Sequence, residues 1–237
     1  ERSVGDEVFG HLAYSPSTRQ GSFAELVVAK PDRVALKPPS VSHEHAAAAA
    51  TAGLTALQGL RDRGRLAGGN RVLVNGASGG VGSYAVQIAR LLGAEVWGTA
   101  SAAKADFVRG LGAVHVIDYR ETPLESIGEK FDVVLDAAST SSFGQAKSVL
   151  NQGGAYVTLL PSLGLLGGML SSLFSSKRCT FVTVQSRAAD LAQLGSWLAS
   201  GELDASVERT YPLADIADAL GALESGKVRG KLAVQIG

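Results

Sequence analysis

An α/β fold with a doubly wound parallel sheet is predicted by three observations. Six short runs rich in Val, Leu and Ile recur along the chain. They lack the alternation of a half-solvated strand, as strands covered on both faces do. Helical patterns stand between them, which argues for β-α-β units with right-handed crossovers. The first such unit also carries a glycine-rich turn between strand and helix, Asn75-Gly76-Ala77-Ser78-Gly79-Gly80-Val81-Gly82.

Taken in order, residues 4–10 and 21–29 read as β segments of a separate unit, and Ser42 is placed to cap an alanine-rich helix over 43–51. The strands of the sheet are 71–75, 95–99, 114–118, 132–136, 155–160 and 180–184. Helices 81–92, 103–111, 142–150 and 188–200 fill the intervals. Six strands complete a doubly wound sheet. Residues 206–211 then read as a strand, 214–223 as a helix and 231–236 as a last strand. The outer pieces, 1–51 and 205–237, are expected to form a second module around a sheet domain of residues 52–204.

The bulk properties exclude several classes. Lys plus Arg and Asp plus Glu both number 22, so the net charge is zero and no basic stripe points to nucleic acid. The single cysteine, Cys179, rules out an internal disulfide framework and a Cys-rich zinc site, and fits a reducing, cytoplasmic compartment. The uncharged stretch 148–176 holds the run 163–170 but is broken by Asn151, Gln152, Gly153, Gly154 and Pro161. A spanning helix needs about 20 mostly apolar residues. This stretch is therefore expected to be a pocket-covering loop with a short helix, or an interface element, and not a membrane span.

The glycine-rich turn carries the chemistry. A strand, then Ala77-x-Gly79-x-x-Gly82, then an apolar helix is the arrangement that binds a dinucleotide pyrophosphate, with alanine in the first glycine slot. Backbone N–H groups at the helix start point at the phosphates, and the helix dipole favours negative charge there. The alternative is a tight turn that only packs a helix on a sheet. In such units an acid about 20 residues on takes the ribose 2′-hydroxyl when the cofactor is NADH. Strand two here ends Gly98-Thr99-Ala100-Ser101-Ala102-Ala103-Lys104, with a hydroxyl and a cation and no acid. Ser101 and Lys104 suit a dianionic 2′-phosphate, hence NADPH; the alternative for Lys104 is a solvated lysine in a helix's first turn. Tyr119 and Arg120 are the next candidates, Tyr119 as a cover for the adenine.

These residues resemble the zinc-independent medium-chain dehydrogenase/reductases of the NADPH:quinone oxidoreductase (zeta-crystallin-like) type. The likeness is carried by Val4-Gly5-Asp6-Glu7-Val8-Phe9-Gly10, Gly21-Ser22-Phe23-Ala24-Glu25, Gly53-Leu54-Thr55-Ala56 and the Ala77–Gly82 loop. Leu111-Gly112-Ala113 with Ile117-Asp118-Tyr119 and Arg229-Gly230-Lys231 complete it. The resemblance implies a Rossmann domain plus the remnant of a GroES-like, β-rich catalytic domain. It also implies a member truncated at its N-terminus, because the family usually carries a further stretch before the Val4–Gly10 turn. It implies that the backbone of Ser78, Gly79, Gly80, Val81 and Gly82 holds the pyrophosphate, and that Ser101, Lys104 and Tyr119 hold the 2′-phosphate. Thr55, Leu159, Leu160, Phe181 and Val182 would line the nicotinamide end, and Lys231 would approach the phosphates. A homodimer is implied as well.

The activity so implied is NADPH-dependent hydride transfer to a quinone or an α,β-unsaturated carbonyl, a small hydrophobic substrate, without a metal. His43 and His45, the close histidine pair, stand two apart on a helix and face different sides. His11 and Tyr14 follow the Gly10 turn, but neither is assigned as proton donor. An enoyl-thioester reductase and a non-catalytic NADPH-binding protein are the alternatives. A short-chain reductase is disfavoured, since Tyr156 is followed four residues on by Leu160 and not by Lys.

Overall fold

A computed structural model describes residues 2–12, 21–161 and 163–237. In chain order the elements are β1 (Val8–Gly10), β2 (Val34–Leu36), α1 (His43–Gln58), β3 (Arg71–Asn75), α2 (Gly82–Leu91), β4 (Glu95–Ala100), α3 (Ala105–Gly110), β5 (His115–Asp118), β6 (Phe131–Asp136), α4 (Phe143–Val149), β7 (Leu150–Thr158), α5 (Leu163–Leu173), β8 (Arg178–Phe181), α6 (Ala188–Ser200), β9 (Val207–Pro212), α7 (Ile216–Glu224) and β10 (Lys231–Gln235). Backbone contacts divide the chain into two units, Thr55–Thr183 and Glu1–Leu54 with Val184–Gly237.

The larger unit is a six-stranded sheet in the order β5-β4-β3-β6-β7-β8, every neighbouring pair parallel. The chain starts in the middle at β3, winds out to β5, then returns to β6 on the other side of β3. This is a doubly wound, Rossmann-like sheet, and the β3/β6 boundary is its topological switch point. Val72, Leu73 and Val74 of β3 and Val133, Val134 and Leu135 of β6 are fully or almost fully buried, as strands covered on both faces must be. One core cluster joins Leu73, Phe131, Val134, Phe143, Val149, Leu150 and Tyr156. α4 is held at its start by a capping box: the Ser142 hydroxyl accepts from the Gln145 N–H, and the Gln145 side chain accepts from the Ser142 N–H.

The smaller unit pairs β1 antiparallel to β2 and β9 parallel to β10. α6 packs on the first pair, where Gly195 brings its backbone against the rings of Pro38 and Phe9. That contact groups α6 with the outer segments, whereas the sequence reading keeps residues 188–200 with the sheet. The Ser42 hydroxyl accepts from the His45 N–H at 3.2 Å, and α1 runs past residue 51 to Gln58. Residues 21–29, expected as a strand, form none. Phe23, Leu26, Val27 and Val28 are exposed.

The uncharged stretch 148–176 is largely β7 and α5. α5 has 11 residues, and no helix among the described residues is long and apolar enough to cross a membrane. It packs through Leu165 and through Gly168, which lies against Phe143 and Cys179. Leu166, Leu170, Leu173 and the following Phe174 stay exposed.

Candidate functional site

All six strands of the sheet run parallel, so their carboxyl ends share one edge. The glycine-rich turn leaves β3 at that edge. Gly76 takes φ +79, a conformation open to glycine, and an added Cβ would lie 2.8 Å from the Ala138 methyl. Ala77 fills the first glycine slot because β4 offers Gly98 opposite: a Cβ on Gly98 would come within 2.8 Å of the Ala77 methyl. Gly82 is the most constrained position. A Cβ there would stand 2.1 Å from the Gly76 carbonyl oxygen and 2.8 Å from Ala77 Cα. Only glycine lets α2 start this close to β3.

Ser83 N–H donates back to the Gly79 oxygen at 2.9 Å. The amides of Gly80, Val81 and Gly82 thus sit in the leading turn of α2, where helix geometry gives them no carbonyl of their own. Ser78, Gly79, Gly80 and Val81 are half-buried. The turn is therefore a backbone cradle at a helix start and a switch point, which suits a pyrophosphate.

At the end of β4, Ser101 is buried and Lys104 half-buried, and the pairing of Ala100 with Asp118 sets the end of β4 beside the end of β5, which the exposed Tyr119 follows. The Arg120 guanidinium stacks over the Tyr119 ring at 5.8 Å. A carboxylate absent from the β4 end reaches this corner from β5. Asp118 accepts the Ala102 N–H at 2.8 Å on one oxygen and the Arg120 N–H at 2.9 Å on the other. The Arg120 N–H, with the Ala102 N–H adding to it, holds this carboxyl below its ordinary value. Asp118 braces the two loops, and both its oxygens are engaged by backbone.

The residues expected at the nicotinamide end fall on the carboxyl ends of β7 and β8. Leu159 is half-buried and Leu160 exposed. Phe181 packs partly on the core cluster. Val182 is a core position and not an open lining, since it lies under Gly59. Thr55 begins the sheet unit, within α1. Lys231 belongs to the smaller unit, on β10, where burial pulls its ammonium below the ordinary lysine value.

In the smaller unit a cleft of about 560 Å³ is lined by Phe9, His43, Ala46 and Gln235 among others, and none of the expected cofactor residues line it. His43 is taken up by Glu7, at 3.1 Å, and does not join His45 in a ligand set. Half-buried His11 shares a hydrogen bond with the Thr51 hydroxyl at 2.9 Å, and burial lowers its pKa. Tyr14 lies outside the described residues. No group of three His, Cys, Asp or Glu side chains that could hold a metal converges among the described residues.

Sequence reasoning missed a buried polar network on the same edge. Asp136, at the end of β6, is fully buried and accepts from Asn75 Nδ2 at 2.8 Å, the Tyr156 hydroxyl at 2.8 Å and the Ser141 N–H at 2.9 Å. Burial, and behind it the Asp136 carboxylate, push the Tyr156 phenol well above its ordinary value, so it stays a donor. The available signal was a polar residue closing three of the apolar runs, Asn75, Thr99 and Asp136.

The model of the family described as "Zinc-binding dehydrogenase" matches residues 111–234, just over half of the chain. The chain belongs to the zinc-binding dehydrogenase family. Mouse mitochondrial NAD(P)H oxidoreductase RTN4IP1 is 32% identical over 98% of this chain and 65% of its own length. The trans-enoyl reductase pgmF of Aspergillus terreus is 32% identical over 98% of this chain and 69% of its own. The chain thus spans about two thirds of these curated relatives. The quinone oxidoreductase of Coxiella burnetii superposes with a TM-score of 0.90 at 31% identity, covering 100% of this chain and 74% of that one. The expected medium-chain dehydrogenase/reductase membership and Rossmann-like sheet therefore hold for this family member.

Proposed function

We propose that this chain carries the cofactor unit of an NADPH-dependent reductase acting on a quinone or an α,β-unsaturated carbonyl, without a metal. The observation that carries the reading is the glycine cradle at the switch point, where a Cβ on Gly82 would sit 2.1 Å from the Gly76 oxygen. The backbone of Ser78, Gly79, Gly80, Val81 and Gly82 would bind the pyrophosphate. Ser101 and Lys104 would hold a 2′-phosphate, with Tyr119 against the adenine. Asp118 adds one negative charge at that corner, and Lys104 and Arg120 together outweigh it. Leu159, Leu160 and Phe181 would keep water from the nicotinamide end, with Val182 as packing beneath them; Thr55 and Lys231 complete the proposed set. When bound, the reduced cofactor supplies a hydride to an acceptor that is already electrophilic, so the protein's share is positioning and water exclusion. A homodimer and a GroES-like origin of the smaller unit belong to this reading through the family resemblance alone, and a cytoplasmic setting through the single cysteine.

The pgmF relative supports a second reading, reduction of an enoyl thioester. The two separate by turnover. With NADPH in excess, oxidation of the cofactor is followed with a benzoquinone, an enone and crotonyl thioester in parallel. Turnover with quinone or enone at least tenfold above thioester is expected. Thioester turnover in excess of both assigns the second reading, and binding with no turnover assigns a non-catalytic NADPH-binding protein.

A further inference from the structure

The buried network on the sheet edge joins two loops across the switch point. On one side Asn75 ends β3, immediately before the cradle. Thr99 Oγ1 accepts the Gly76 N–H at 3.0 Å and donates to Asn75 Oδ1 at 2.6 Å. Asn75 Nδ2 in turn donates to Asp136 Oδ1 at 2.8 Å, with Ser141 Oγ at 3.0 Å also in reach. On the other side, the segment 137–141 leaves β6 and turns sharply at Ser139, a non-glycine residue at φ +53. Such backbone is strained and persists where its surroundings hold it. Here the hold is the Ser141 N–H on Asp136 Oδ2 at 2.9 Å, with the single proton of the Tyr156 hydroxyl placed between that oxygen, at 2.8 Å, and the Ser141 carbonyl, at 2.7 Å.

Every contact Asp136 makes is to a donor, and no buried side-chain polar atom among the described residues lacks a partner. A fully satisfied buried network of this kind rigidifies what it touches. The two loops it touches are the ones that flank the crevice where α/β sheets of this winding take their ligand.

We propose that Asp136 is a positioning residue that locks the cradle at Gly76 and the loop at Ser139 into one arrangement, and so sets the affinity for the dinucleotide. The affinity half rests on the dinucleotide reading above. The locking half does not. Asp136→Asn is nearly isosteric but leaves the network one acceptor short. Its NH2 meets the Ser141 N–H on one side or Asn75 Nδ2 on the other, and turning the Asn75 amide to meet it takes away the acceptor of the Thr99 hydroxyl.

The test is amide hydrogen exchange on the chain without nucleotide, followed by titration with NADPH. Asp136→Asn is expected to speed exchange at both Gly76 and Ser141 while the interior amides of β3 and β6 keep their protection. The dissociation constant for NADPH should rise about tenfold or more, and turnover at saturating NADPH should change far less. A purely structural role would accelerate all sheet amides together, and that result, or unchanged exchange at either loop, overturns the proposal. Thr99→Val is the second variant, chosen to leave Asp136 and Ser141 intact. It should free Gly76 and leave Ser141 protected; equal protection at Gly76 before and after breaks the chain of bonds proposed. If the unaltered chain binds no dinucleotide, the functional reading fails and the affinity half with it, and the exchange arm still decides the locking.

Discussion

Gly82→Ala is expected to abolish measurable NADPH binding, a loss of at least about 100-fold, and to lower stability by about 1–3 kcal/mol, the usual range for forced overpacking. Helix propensity alone favours alanine over glycine by about 1 kcal/mol. Geometry wins over propensity here, because the new methyl would meet the Gly76 oxygen at 2.1 Å and Ala77 Cα at 2.8 Å. Those are backbone atoms, which cannot rotate away as a side chain can. Relief requires α2 to move off β3, which dismantles the leading turn. Gly79→Ala gives the contrast. A Cβ there meets only the Gly76 oxygen, at 3.4 Å. That variant should melt with the unaltered chain but bind NADPH more weakly, since close approach of backbone to phosphate is what this second glycine allows. Titration and thermal unfolding of both variants check the pair. A Gly82→Ala protein that binds NADPH normally would remove the cradle from the argument.

The largest effect on stability is expected at Phe131→Ala, about 3–5 kcal/mol by urea unfolding. The ring is fully buried at the start of β6 and stands edge-on to Trp97 with centroids 5.6 Å apart. It belongs to the cluster that holds β3, β6, β7 and α4 together. Arg71, which joins Glu95 at 3.0 Å and Glu129 at 2.9 Å above that ring, contributes much less, because exposed ion pairs are typically worth about 0–1 kcal/mol. Leu173→Ala on the open side of α5 should fall within about 0.5 kcal/mol of the unaltered chain. A cost at Phe131 no larger than at Leu173 would mean the cluster is not the core.

The sheet was legible because its strands are buried on both faces. Val72 to Val74 and Val133 to Leu135 are apolar without alternation, and each sheet strand overlaps the run that predicted it. The cradle was legible because glycine spacing is a backbone requirement that leaves a trace in sequence. The segment 21–29 was misread for the opposite reason: a strand is made by its partner, and local apolar residues do not supply one. The packing of α6 on Phe9 and Pro38 was not legible either, since it joins parts of the chain distant in sequence. The Asp136 network escaped because each member is an ordinary polar residue ending an ordinary strand. Only strand order brings Thr99, Asn75, Asp136 and Tyr156 side by side. Asp118 escaped likewise: the acid was sought on β4, and it arrives from β5.

On the proposed reading, this chain holds a dinucleotide and reads its 2′-phosphate. Calorimetric titration with NADPH and with NADH, on the unaltered chain and on Lys104→Ala, tests it most directly. Saturable binding of NADPH about 10–100-fold tighter than NADH is predicted, from a charge-assisted contact worth about 1.5–3 kcal/mol. Most of that preference should vanish in Lys104→Ala while NADH affinity holds. Binding of neither nucleotide by the folded chain, or a preference for NADH, would contradict the account.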